Sequence, residues 1–154
     1  LIYGGYWYRI ADYFQTVYGI DGKKKWGLKY AVWVFCLGRT HSPFVYPYRI
    51  QSPVTSELIR IESVDDVWAE LEKITTTRSM GQEMYYLVPL FASSDWLIDD
   101  WMWNMIDDYN LSKQFNLPLA LTLDEAPAEK LECFSIIDNE INLIKIHESK
   151  NGKK

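Results

Sequence analysis

A chain of 154 residues with 48% hydrophobic and 24% charged side chains is long enough to bury one core and too short for two, and that balance excludes a disordered or collagen-like polymer. Sixteen lysines and arginines against 21 carboxylates leave a net charge of −5, which opposes the phosphate neutralisation on which general nucleic-acid binding depends. The longest uninterrupted apolar run, Tyr30 to Leu37, falls far short of the ~20 residues of a membrane-spanning helix, so no membrane partner is expected.

Tyr6, Ile10, Tyr13, Phe14 and Val17 recur at helical spacing and predict a helix over 6–18, stopped by Gly19. Asp21-Gly22 followed by Lys23, Lys24 and Lys25 reads as an exposed turn with a solvated rim. Trp26 to Leu37 reads as a strand, and its run Tyr30 to Leu37, apolar on both faces, predicts a central place in a sheet. Residues 38–56 carry Pro43, Pro47 and Pro53 and read as a long connection with one edge strand at Tyr48–Gln51.

Glu57–Glu62 alternates as a strand does. Ser63 then caps a predicted helix over 64–74: Asp65 and Asp66 favour its positive end, and Val64, Val67, Trp68, Leu71 and Ile74 share one face. Glu83–Phe91 predicts a second buried strand, and Ser94 caps a helix over 95–109. Three short apolar runs follow, Leu117–Leu123, Leu131–Ile137 and Ile141–His147. The last two are separated by Asp138-Asn139-Glu140, a tight-hairpin signal. The expected fold is therefore α+β: one domain over 1–148, a largely antiparallel sheet of about five to six strands with two to three helices, and a flexible polar tail over 149–154.

Cys36 and Cys133 both lie in apolar runs and are expected as buried free thiols, with a disulfide as the alternative. Neither has histidine or carboxylate neighbours at zinc spacing, so no metal and no cofactor are expected. A cytoplasmic location is expected, with a cleaved signal peptide as the alternative.

The predicted helix over 95–109 carries the most informative constellation. Ile98, Trp101, Met102, Met105, Ile106 and Tyr109 form an apolar arc, while Trp96 and Trp103 lie ~20° apart on another side. Asp99, Asp100 and Asp107 flank those indoles. Such a face suits recognition of a protein partner with a basic surface; the competing reading is that a neighbouring segment covers the indoles. Acids interleaved with tryptophan converge poorly on calcium or magnesium.

The second constellation is the 38–56 loop, where His41 is a weak candidate base and Arg39 and Arg49 weak candidate anion holders. No Gly-x-Gly-x-x-Gly, Gly-Lys-Ser/Thr or Gly-x-Ser-x-Gly motif accompanies them. His147 reads as a solvated strand end, and Lys23–Lys25 between Tyr18 and Trp26 as a charged turn more readily than a phosphate patch. The leading expectation is a non-catalytic protein-binding module of the small acidic inhibitor or immunity-protein kind. A small enzyme acting on an anionic substrate through the 38–56 loop is the alternative, and a carbohydrate-binding domain the second. The oligomeric state is left open.

Overall fold

Leu28, Tyr30, Ala31, Val32, Trp33 and Val34 are all buried within one helix, α1 (Gly22–Leu37), against which three later helices pack. The computed structural model describes residues 22–38, 43–75, 78–117 and 128–151. After α1 come two strands, β1 (Tyr48–Gln51) and β2 (Leu58–Ile61), and then α2 (Val64–Leu71) and α3 (Met80–Leu87). Single 3₁₀ turns at Val88–Leu90 and Ser94–Trp96 lead into α4 (Asp100–Gln114), and α5 (Ala128–Asn151) completes the described chain.

The described residues are mostly helical and hold one two-stranded antiparallel sheet, which overturns the expected five-to-six-stranded fold. The run Tyr30–Val34 is buried residue after residue because this part of α1 packs against α3, α4 and α5. A helix covered on every side loses its amphipathic period and looks like a central strand. The expected strand at Glu83–Phe91 is α3 followed by the 3₁₀ turn that carries Pro89. Ser79 caps α3, its hydroxyl accepting from the Gly81 N–H at 3.1 Å.

The hairpin expected from Leu131 to His147 is one helix. Cys133, Ile137, Glu140 and Ile144 are buried at helical spacing, so the polar triplet Asp138-Asn139-Glu140 is helix interior rather than turn. Asp138 accepts the Tyr109 hydroxyl at 2.5 Å and Glu140 points into the core. Lys23, Lys24 and Lys25 belong to the first turns of α1 rather than to a loop, and Lys25 pairs with Glu132 at 2.7 Å. Ser149 to Asn151 lie in the last turn of α5. The expected helix over 6–18, and residues 118–123 of the expected strand over 117–123, lie outside the described residues.

Where local signals are strong, elements start where they were predicted, although α2 ends at Leu71 rather than at residue 74. β1 occupies Tyr48–Gln51 and pairs with β2 in the register Tyr48↔Ile61, Arg49↔Arg60, Ile50↔Ile59, Gln51↔Leu58. α2 begins after Ser63, with Asp66 accepting from the backbone N–H of Glu62 at 2.8 Å and of Ser63 at 3.3 Å. Its inward side buries Val67, Trp68 and Leu71. The hairpin is tied to α2 by Ser52, which is buried and donates to Glu70 Oε2 at 2.7 Å.

Three helices meet at Glu140, 1% exposed. Its Oε1 accepts the indole N–H of Trp33 on α1 at 3.1 Å and the hydroxyl of Ser79 at the start of α3. Close approach here depends on Gly81: a Cβ at that position would lie 2.6 Å from Glu140 Oε1 and 3.0 Å from the Lys29 carbonyl carbon. Both cysteines are free; Cys133 is buried, but Cys36 is exposed, contrary to its apolar surroundings in sequence.

Candidate functional site

Asp100 opens α4, one residue after Asp99, whose extended backbone forms the N-cap. An acidic first turn suits the positive end of a helix. Met102, Ile106 and Tyr109 turn inward and are buried. By helical arithmetic, Asp100, Asn104, Asp107, Leu111 and Gln114 share a sector of roughly 80° on the opposite side, and all five are exposed. Asp99 is exposed beside that sector. Among the described residues, Asp99, Asp100 and Asp107 form no ion pair, whereas the neighbouring Asp108 meets Lys130 at 3.4 Å. Toward the C-terminal end of α4 the surface becomes apolar, with Leu111 48% and Phe115 59% exposed.

The two tryptophans expected on this face are placed differently from one another. Trp96 belongs to the 3₁₀ turn Ser94–Trp96, and the chain breaks through the buried Leu97 and Ile98 before α4 starts. Its angle to Trp103 is therefore not set by one continuous helix, as the predicted helix over 95–109 required. Trp103 lies on α4, half-buried, and both indoles pack against the hydrophobic core. One ring face of Trp96 is taken by Tyr46, at a centroid distance of 4.0 Å and an interplanar angle of 26°.

Tyr46 is part of an aromatic stack that fixes the approach to β1. Phe44 stacks on Tyr48 at 5.0 Å, and Tyr48 donates its hydroxyl to the Phe91 carbonyl at 2.5 Å. Burial pushes the Tyr48 phenol up to about 12, with a further contribution from Tyr46. Burial also raises Tyr46, helped by the charges of Asp66 and Asp65. The Tyr46 hydroxyl is enclosed without a hydrogen-bond partner among the described residues. Proline spacing marked this segment as irregular; nothing in it announced that its tyrosines would seal one face of Trp96.

Of the second constellation, Arg39 and His41 lie outside the described residues. Arg49 is exposed on β1 and sits opposite Arg60 in the sheet register. His147 is half-buried on α5, its Nε2 2.9 Å from the Tyr86 hydroxyl and its ring edge-on to Trp33 at 5.5 Å. The described residues hold no group of three His, Cys, Asp or Glu side chains arranged to hold a metal ion. No helix among them is long and apolar enough to cross a membrane.

Comparison with known protein families, with curated proteins and with solved structures finds no match to the chain.

Proposed function

We propose that the protein is a non-catalytic binding module whose outward α4 face docks on a basic surface of a partner protein. The observation that carries this reading is the exposed sector of α4, where Asp100 and Asp107 stand without cationic partners among the described residues and run into the exposed Leu111 and Phe115. A charged rim beside accessible apolar side chains is the usual anatomy of a protein interface. The carboxylates steer a basic partner and repel acidic ones, and the apolar end supplies buried area once the two surfaces meet. A net charge of −5 adds long-range attraction of the same sign. Trp96 and Trp103 pack against the core, so the proposed contact rests on the carboxylates and the apolar end rather than on the indoles.

The test is a comparison of the wild type with an Asp100→Asn/Asp107→Lys/Leu111→Ser variant. A partner isolated from the native host is purified, and its affinity is measured for both proteins at two salt concentrations. The expected result is a folded variant that binds at least about tenfold more weakly, a loss of ~1.4 kcal/mol, with wild-type association slowing as salt rises. Equal affinity of the purified partner for the two proteins overturns the reading.

A further inference from the structure

On the side of the molecule formed by α1, the start of α3 and α5 lies a cleft of about 470 Å³, a size that suits a small metabolite. Its lining reverses the charge of the chain as a whole. Lys29 of α1, Arg78 before α3 and Lys150 of α5 converge on it, and among the described residues the one carboxylate that lines it is Glu140. Arg78 is oriented by Glu83, 2.6 Å away. Lys29 is half-buried, yet neither it nor Lys150 forms an ion pair among the described residues. An ammonium withdrawn from water without a counter-charge is costly unless an anion joins it.

The floor of the cleft has a different character. Glu140 Oε1 already accepts from Trp33 and Ser79. Among the described residues its second oxygen, Oε2, receives only the long 3.5 Å contact from the Asn139 amide, so it retains acceptor capacity toward a hydroxyl. Gln82 and Asn139 add amide groups that donate and accept. The ligand that fits has a multiply charged anion at one end and hydroxyl donors at the other. Two ammoniums without an ion pair among the described residues and a pre-oriented guanidinium match a dianion better than a single carboxylate.

We infer that this cleft binds a small phosphate monoester of a polyhydroxylated compound. The phosphate sits between Lys29, Lys150 and Arg78, and a hydroxyl of the ligand donates to Glu140 Oε2. This site is separate from the α4 face, so it stands or falls independently of the partner-binding reading.

The experiment is a titration of isotope-labelled protein, followed by amide chemical shifts, with ribose 5-phosphate, inorganic phosphate and ribose as separate probes. Saturable shifts centred on Lys29, Gln82 and Asn139 are expected with ribose 5-phosphate. Inorganic phosphate should bind about tenfold more weakly, and ribose alone should produce no saturable shift. A Lys29→Met/Lys150→Met variant, whose substitutions leave the Glu140 hydrogen bonds in place, should lose ribose 5-phosphate affinity by about tenfold or more while keeping its thermal midpoint. A Glu140→Gln variant should abolish the advantage of ribose 5-phosphate over inorganic phosphate. Absence of saturation with ribose 5-phosphate, undiminished binding by the double lysine variant, or equal affinity for inorganic phosphate overturns the proposal.

Discussion

Trp33 donates its indole N–H to Glu140 at 3.1 Å across 107 residues of chain, and both side chains are at most 1% exposed. This bond joins the central helix to the last one, and the Ser79 hydroxyl on the same carboxylate oxygen brings in α3. A carboxylate so deeply placed is tolerated because each donor that surrounds it offsets part of its lost hydration.

Truncation of Glu140 should therefore cost more than the loss of one contact. Glu140→Ala leaves the buried Trp33 N–H and the half-buried Ser79 hydroxyl without their acceptor, and a destabilisation of about 2–4 kcal/mol is expected from the usual penalties for charged hydrogen bonds and orphaned donors. Urea unfolding of Glu140→Ala, Trp33→Phe and the double variant gives the coupling directly. A coupling energy of about 1–2 kcal/mol is expected; additivity of the two single effects would show that the bond contributes nothing of its own.

Gly81 should be intolerant of a methyl group although it lies in a helix. Glycine to alanine in an open helix stabilises by up to about 1 kcal/mol. At Gly81 the added carbon would press on Glu140 Oε1 at 2.6 Å and on the backbone of Lys29 at 3.0 Å, and overpacking of this kind costs about 1–3 kcal/mol. Gly22 at the start of α1 has nothing among the described residues within 4 Å of the same added atom. Thermal melts should show Gly81→Ala lowered and Gly22→Ala unchanged or raised. A raised midpoint for Gly81→Ala would mean that α3 can move off α1 without penalty.

The contrast between α1 and α2 shows what the sequence makes legible. α2 is announced by local chemistry: Ser63, Asp65 and Asp66 mark its start, and its apolar residues keep helical spacing because only one side is covered. α1 has no such asymmetry. Tyr30 to Val34 is buried residue after residue, so burial on every side erases the period and the β-branched Val32 and Val34 tip the reading toward a strand. In α5, Asp138 and Glu140 imitate a turn because their partners, Tyr109 and Trp33, lie 29 and 107 residues away. The acids of the α4 face were legible as a helical cluster. The break at Leu97–Asp99 was not, since Trp96 is set by a stack on Tyr46 that lies 50 residues earlier in the chain.

That stack makes Trp96 a structural residue, and its removal should be felt as lost stability. Trp96→Ala vacates one face of Tyr46 and part of the core packing. A loss of about 2–3 kcal/mol is expected, short of the full penalty for a wholly buried tryptophan. Asp107→Asn, on the exposed sector of the same region, should stay within about 0.5 kcal/mol of wild type. If chemical denaturation finds Trp96→Ala as stable as Asp107→Asn, the stack on Tyr46 is not holding the 43–48 segment in place.

Alkaline pH should unfold the protein through its enclosed phenols and thiol. Burial raises Tyr109, aided by its hydrogen bond to Asp138, and pushes Tyr48 up to about 12. Cys133 is likewise pushed up to about 12, chiefly by burial, with Glu129 and Glu132 adding and Lys25 opposing. In each case the folded state holds a proton that the unfolded chain releases near its ordinary value, about 10 for tyrosine and 8.5 for cysteine. The folded state thus binds more protons over this range, so stability falls as pH rises. It should be complete below about pH 8, decline from about pH 8.5 as the unfolded thiol ionises and steepen above about pH 10 with the phenols. The decline should end only where the folded groups themselves titrate. Urea midpoints measured from neutral to strongly alkaline pH should show this slope, and Tyr109→Phe should flatten its upper part, since it removes a phenol that the folded state keeps protonated. An identical slope in Tyr109→Phe would exclude that residue as a source of the alkaline instability.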